Sequence, residues 1–369
     1  MLIGRVNDRP PRRGARGPRG GQVARRIEIG KARELCAGLL TAAGMPEDAA
    51  SATATALTVA EAWGRASHGL LRLPHYLERL AAGGSAADAE LTLVAARGAT
   101  AAYDGGNGLG HWQLARAGAH AVALAQEHGI GAVSVANSGH AGVLGLGVVA
   151  MVEAGFVGIA FSTGPAAMPA IGGDRALLST SPIAAGIPTR PRPAIVDLAT
   201  SAVARGTIAA TAAAGGALER GWAFDARGVP TTDPAVALAG MLAPLGGAKG
   251  FALAFLVESL TGGMVGPHLA PSIADPLSSA AAALPQRVAH LVLALDPAAL
   301  DGDGRSSERL AALARSIEES GGRVPGAGHL LPSEIPEDTV LVLPDTLAAT
   351  LATRAAASGV AVPASLAGG

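Results

Sequence analysis

The chain of 369 residues has a single cysteine, Cys36, which excludes an internal disulfide and any zinc site built on several cysteines. Its formal net charge is only −1, so bulk electrostatics does not point to a nucleic-acid partner. Charged residues are scarce, 15% against 49% hydrophobic, and that balance excludes global disorder. No uninterrupted membrane span is present: the apolar run at residues 141–163 carries Glu153 at its middle, where charge is expensive in a bilayer. It parses better as a helix over 143–154, a turn at Gly155 and a buried strand at 157–162. With no export signal visible, the expected compartment is the cytoplasm. No internal repeat of fixed period is found.

Lysine is nearly missing, with Lys31 and Lys249 standing against 26 arginines. In that background the lysine of GGAKGF draws notice, because arginine and lysine are not interchangeable where shape or hydration matters. Eight arginines and one aspartate crowd into residues 1–26, which are rich in Gly and Pro and have no apolar period. This segment reads as a disordered basic extension, a solvated tail whose removal should leave the fold intact.

Helical periodicity dominates residues 28–82, with helices expected at 28–43, 47–65 and 70–81. From residue 100 the pattern mixes. A helix at 111–128 and a strand at 131–136 precede NSGHAG, and strands follow at 176–179, 183–187, 194–197 and 289–295. Further helices are expected at 202–214, from about 249 to 261, at 306–320 and at 345–358. The expected fold is α/β. A central mixed-sheet domain of non-Rossmann type spans 100–285, and a mainly helical domain is built from 27–99 together with 286–369.

Gly145-Leu146-Gly147-Val148-Val149-Ala150 fits the dinucleotide fingerprint on paper. That fingerprint requires a glycine turn directly between strand and helix. Here the match begins inside an expected helix, well past the strand, so a standard Rossmann site is not expected.

Three segments carry side chains suited to acid–base chemistry. Ser67-His68-Gly69 falls at a helix junction, with Arg72 four residues after His68 and Tyr76 four after Arg72. That spacing brings imidazole, guanidinium and phenol toward one face, where they can bind a carboxylate and protonate an oxyanion. A helix cap with a surface arginine would use the same residues. Asn137 to Gly142 lies between strand and helix, where backbone N–H groups bind anions and His140 can donate; an Asn/Ser cap explains it equally well. Ser179-Thr180-Ser181-Pro182 precedes Asp197, which ends a β-rich run and could orient a histidine or cap a helix.

Taken in order, SHGLLRLPHY, DGGNGLG, HGIGAVSVANSGHAG, STSPIAAGIPT, IVDLATSAVARG, GWAFDARGVPTTDP, APLGGAKG and FLVESLTGGMVG resemble the malate/L-lactate dehydrogenase family that is unrelated to the Rossmann-type enzymes. That family includes ureidoglycolate and sulfolactate dehydrogenases, diketogulonate reductase and the piperideine- and pyrroline-2-carboxylate reductases. The resemblance spans roughly residues 28–355.

It implies an NAD(P)-dependent oxidoreductase, a homodimer, that transfers hydride to C2 of a 2-oxo acid or cyclic 2-imino acid, with no metal, nucleic acid or membrane involved. NAD and NADP are left undecided. By the same resemblance His68 is the proton donor, Ser67 orients it, and Arg72 holds the substrate carboxylate. His140 and Thr180 lie beside substrate and nicotinamide. Gly142, Leu144, Leu198, Ala199, Lys249 and Pro325 fall on the cofactor side. Asp197 either joins them or completes a relay with His68. Ser181, Thr207 and Ala327 depart from the family pattern in cofactor-facing loops. They motivate the alternative of a catalytically silent relative that binds cofactor or a partner protein.

Overall fold

The computed structural model describes residues 24–276 and 278–367. The chain enters on strand β1 (Ala24–Glu28) and continues into helices α1 (Ile29–Ala42) and α2 (Glu47–Ala62). Pro46 caps α2, and Glu47 and Asp48 lie in its first turn, where negative charge suits the helix dipole. α2 stops three residues short of the expected end. Two single turns of 3₁₀ helix, Ala66–His68 and Leu70–Arg72, then lead into α3 (Leu73–Ala82), which closes on a left-handed Gly83.

Strands β2 (Thr92–Arg97) and β3 (Thr100–Asp104), helix α4 (Gly110–His128) and strand β4 (Ile130–Ser138) follow. The apolar run is broken as expected: a 3₁₀ segment at Leu144–Val148, α5 (Val149–Glu153), a left-handed Gly155, then β5 (Val157–Ser162). Among the described residues no helix is long and apolar enough to cross a membrane.

β6 (Met168–Pro169) and β7 (Ala176–Leu178) pair as a hairpin ahead of β8 (Ile183–Ile187), β9 (Ala194–Leu198) and α6 (Arg205–Ala213). A small three-stranded sheet contains β10 (Ala223–Phe224), β11 (Pro230–Thr231) and, after α7 (Pro234–Leu238), β12 (Met241–Leu242). α8 (Ala248–Glu258) runs into a π-helical turn at Ser259–Gly263. The chain closes through β13 (Val288–Leu295), α9 (Ser306–Glu319), β14 (Val340–Pro344) and α10 (Asp345–Ala357).

Seven strands form the main sheet in the order β2-β3-β4-β13-β5-β8-β9. Only β3 and β4 pair in parallel, through the single βαβ unit β3-α4-β4, so the sheet is mixed and differs from the repeated βαβ winding of a Rossmann domain. β2 precedes residue 100 and β13 follows residue 285, so the sheet draws strands from both sides of the expected boundaries. α4 lies close on it through small residues. A Cβ at Gly131 would stand 2.0 Å from the Ala121 carbonyl, and one at Gly147 would stand 2.4 Å from Leu114 Cδ2. Gly147 and Gly145, whose Cβ would stand 3.1 Å from Ile195 Cγ2, are therefore packing glycines of the apparent fingerprint.

A separate core joins the chain ends, with Leu35, Leu39 and Leu57 packing beside Leu343, Leu347 and Leu351. β1 pairs with β14 from Ala24 opposite Pro344 to Glu28 opposite Val340. The expected extension therefore ends too late, because Ala24–Arg26 belong to a strand; residues 1–23 lie outside the described residues. Arg25 Nε also meets Asp345 at 2.7 Å. The ladder partner lies more than 300 residues away, so no local pattern signals it. A truncation that removes residues through Glu28 is expected to lower the melting temperature measurably, since β14 loses the one strand it pairs with among the described residues and Ile27 leaves the core. An unchanged melting temperature would show that the ladder contributes nothing.

Candidate active site

The junction between α2 and α3 presents the first group. Ser67 Oγ lies 2.9 Å from His68 Nδ1, and Arg72 Nε donates to the Ser67 carbonyl at 2.6 Å. This second bond folds Arg72 back over the turn. Tyr76, fully buried on α3, reaches His140 Nδ1 through its hydroxyl at 2.7 Å. His68 and His140 stack with ring centroids 5.8 Å apart. The site thus joins the two segments singled out in the sequence.

His140 stands in the loop after β4. Its backbone N–H donates to Gln286 Oε1 at 3.1 Å, and the Gly142 N–H points to its Nδ1 at 3.4 Å. A backbone N–H can only donate, so Nδ1 is the acceptor and the ring proton sits on Nε2. Gly142 has φ +70°, and a Cβ there would meet His111 Nε2 at 2.7 Å.

Beneath this loop lies a polar network that sequence spacing did not reveal. Ser138 Oγ donates to Gln113 Oε1 at 2.6 Å, and His290 Nε2 faces Ser138 Oγ and the Gly139 carbonyl, each at 3.1 Å. His111, only 5% exposed, meets the Tyr76 ring edge-on at 5.0 Å. These residues come from α4, β4 and β13, and the family-like stretch DGGNGLG, just before His111, was the only local signal.

Burial together with Arg72 and Arg65 pulls the His68 pKa down to about 4. Burial brings His290 to about 4 and, with His68 and His290 nearby, His111 to about 3. These groups bind protons less readily folded than unfolded, where histidine titrates near about 6.5. The resulting stability is fully present above that value and is lost as pH falls toward the folded values. The melting temperature is therefore expected to fall steadily between pH 6.5 and 4.5, and a flat profile would contradict this protonation scheme.

The second group surrounds β9. Asp197 Oδ2 accepts from the Gly145 N–H at 3.2 Å, and burial raises the carboxyl pKa. Among the described residues no hydrogen bond joins Asp197 to His68, so the relay geometry is not formed. Leu144 is buried beside it in the same 3₁₀ segment. The Thr180 carbonyl accepts the N–H and the hydroxyl of Thr200 at 2.9 and 3.0 Å. The Thr200 carbonyl in turn accepts from Leu245 at 2.8 Å, and Ala199 and the exposed Leu198 precede it. These bonds set the Thr180 loop, the end of β9 and the loop before α8 side by side. Lys249 is exposed in the first turn of α8 and makes no ion pair among the described residues.

The Pro325 carbonyl accepts the Ile195 N–H at 2.9 Å, which extends its loop along β9. Trp63 ties that loop to the His68 turn by stacking on His329 at 5.1 Å and donating to the Leu330 carbonyl at 2.8 Å. Ser181 adopts φ +41° with its hydroxyl 3.1 Å from that of Ser179, Thr207 is exposed in the first turn of α6, and Ala327 packs beside Val324. Among the described residues no cluster of metal-binding side chains is present.

The sequence profile of the malate/L-lactate dehydrogenase family matches residues 27–340. Over 308 residues the chain is 41% identical to (2R)-3-sulfolactate dehydrogenase (NADP(+)) of Chromohalobacter salexigens, covering 82% of this chain and 90% of that protein. It is 36% identical over 293 residues to Delta(1)-pyrroline-2-carboxylate reductase of Ancylobacter novellus, covering 78% and 83%. Its fold superposes on sulfolactate dehydrogenase from Methanocaldococcus jannaschii with a TM-score of 0.82 and 27% identity, over 91% of this chain and 98% of that one. Profile, relatives and fold agree with the ordered motifs, and the chain belongs to the malate/L-lactate dehydrogenase family of oxidoreductases.

Proposed function

We propose that the chain is an NAD(P)H-dependent reductase of 2-oxo acids, with cyclic 2-imino acids as the second reading. The observation that carries this is the convergence of His68, Arg72 and His140 from two chain segments. A reduced nicotinamide, when bound, supplies the hydride that C2 receives.

The residues supply the rest. With Nε already engaged, the terminal nitrogens of Arg72 form the planar fork that grips a carboxylate bidentately and fixes the acid's orientation. His140 Nε2–H donates to the C2 oxygen. His68 supplies the proton as charge develops there. In the free protein burial, together with the guanidiniums of Arg72 and Arg65, disfavours its imidazolium, and an anion bound against the guanidiniums relieves their share. Arg65 makes no ion pair among the described residues. That supports a substrate with a second acid group, as the relative acting on sulfolactate also does. The likeness to the pyrroline-2-carboxylate reductase keeps the imino acid reading open.

The residues present fit a phosphate-bearing cofactor. Gly246 and Gly247 are both left-handed and have nothing within 4 Å of a Cβ, so they open a free cradle at the N-terminus of α8 beside Lys249. Lys249, Thr180, Gly142, Leu144, Asp197, Leu198, Ala199 and Pro325 are assigned to this side. Lys249→Ala is expected to raise the Kd for reduced nicotinamide about ten-fold at low salt, from a lost charge-assisted bond of about 1.5 kcal/mol. The effect should shrink at high salt. Equal affinities in a fluorescence titration at low salt would remove Lys249 from the cofactor site.

The exposed apolar face of Leu253, Phe255 and Leu256 on α8 supports a homodimer, and a monomeric mass in solution would overturn that assignment. A cytoplasmic location fits the single, buried Cys36. The deciding experiment is a screen of 2-oxo acids, with and without ammonia or methylamine, and of cyclic imino acids, against NADH and NADPH. Reduction of oxaloacetate or 3-sulfopyruvate is expected. Cofactor binding without turnover on any of these acids would instead mark a silent relative.

A further inference from the structure

Glu61 ends α2 beneath the turn that carries the proposed proton donor, and no step described so far uses it. Its Oε2 accepts the Leu70 N–H at 3.1 Å. Leu70 is 1% exposed, so water cannot replace that acceptor. Gly69 shows how closely the carboxylate passes: a Cβ there would stand 2.3 Å from Oε2 and 3.2 Å from the Glu61 nitrogen. Gly69 has φ −95° and ψ −146°, outside the regions L-residues usually adopt, so both the space beside Glu61 and the backbone conformation favour glycine there.

The two 3₁₀ turns on either side of Gly69 are each closed internally. His68 N–H donates to the Arg65 carbonyl at 2.8 Å, and Arg72 N–H donates to the Gly69 carbonyl at 2.9 Å. Neither bond fixes one turn relative to the other. Two side-chain bonds do: Arg72 to the Ser67 carbonyl, and Glu61 to the Leu70 N–H at the start of the second turn. Glu61 makes no ion pair among the described residues, so this bond is its visible task. Burial raises its carboxyl pKa and the Leu70 N–H pulls it back, the balance expected of an anion kept inside for one directed contact.

We propose that Glu61 is a positioning residue that sets the turn bearing Arg72 against the turn bearing His68, so that carboxylate grip and proton delivery act on one substrate molecule. The proposal rests on the roles of His68 and Arg72 given above. A displacement of about 1 Å between such groups costs about 100-fold in rate.

The test uses the full chain with Glu61→Ala and Glu61→Gln, and 3-sulfopyruvate as substrate. In Glu61→Ala, kcat/KM is expected to fall about 100-fold, with kcat lowered and KM raised together. Glu61→Gln should recover most of that loss, because its amide oxygen still accepts from Leu70. The second readout is the His68 imidazole titration by NMR, which needs no turnover. Arg72, Arg65, His140 and His111 face or flank that ring, and Arg72 is the neighbour that moves. Burial holds most of the depression, but as Arg72 departs its share is lost, so the His68 midpoint should rise in part in Glu61→Ala and stay at the parental value in Glu61→Gln.

A lower melting temperature with kinetic constants and His68 midpoint unchanged would make Glu61 purely structural and overturn the proposal. If the parent reduces none of the oxo or imino acids screened above, the functional reading is at fault, and the titration still decides the role of Glu61. If Glu61→Ala does not fold, Glu61→Asp carries both readouts, since it keeps the charge but falls short of Leu70. The same shifts are expected there, and parental behaviour would overturn the proposal.

Discussion

Replacing His68 with alanine is expected to lower kcat by about 10²–10⁴-fold while cofactor affinity stays near that of the parent, since a general acid contributes on that scale. The split follows from where the ring stands. His68 touches Ser67 and stacks on His140, whereas Asp197 stands on β9, Lys249 on α8 and Thr180 in the loop between β7 and β8. Loss of the imidazole removes the proton source without touching the cofactor-side loops. It also removes the group whose protonation the substrate anion controls, so the fall in kcat that the parent's substrate complex should show as pH rises is expected to disappear in the variant. The check is single-turnover kinetics at several pH values, with the cofactor titrated separately. Parental turnover at neutral pH would strip His68 of its role.

The second large effect is expected at Gly110→Ala, at the first residue of α4. The added methyl would stand 2.2 Å from the Gly139 carbonyl and 3.0 Å from both the His140 carbonyl carbon and His290 Nε2. The obstacle is mostly backbone and cannot rotate aside, so α4 and the His140 loop must move apart. Overpacking of this kind costs about 1–3 kcal/mol. Because the displaced loop carries His140, kcat/KM is expected to fall about 100-fold in protein that still folds. Gly302→Ala, with nothing within 4 Å, serves as the control and should change neither. If Gly110→Ala matched that control, the close approach of helix and loop would be wrong.

The sequence made local signals legible. The helices that place His68, Arg72 and Tyr76 follow from apolar periodicity, and the break of residues 141–163 into helix, turn and strand follows from Glu153 and Gly155. Signals that cross the chain were not legible. β2 and β3 lack a strong alternating pattern, and β2 is exposed along its whole length. β1 takes its identity from β14, far away in sequence. Gln286 and His290 reach the site only because β13 lies beside β4, and His111 only because α4 packs across the sheet. Glu61 carries no motif signal, and its bond to the Leu70 N–H and its close passage by Gly69 emerge only in the fold.

The place of β13 in the sheet bears on how the chain comes off the ribosome. β4 and β5 do not pair with each other; β13 fills the gap between them, from Leu295 opposite both Ile130 and Val157 to His290 opposite Val135 and Ser162. Until β13 has been synthesised, two strand edges face one another without a partner and invite pairing with other chains. The sheet is then completed by contacts of large sequence separation, which folds slowly and leaves collapsed intermediates open to aggregation. His290 and Gln286 arrive with the same strand or just before it, so the loop under His140 gains its support in the step that seals the sheet. A nascent chain halted before β13 would have neither a closed sheet nor a working site.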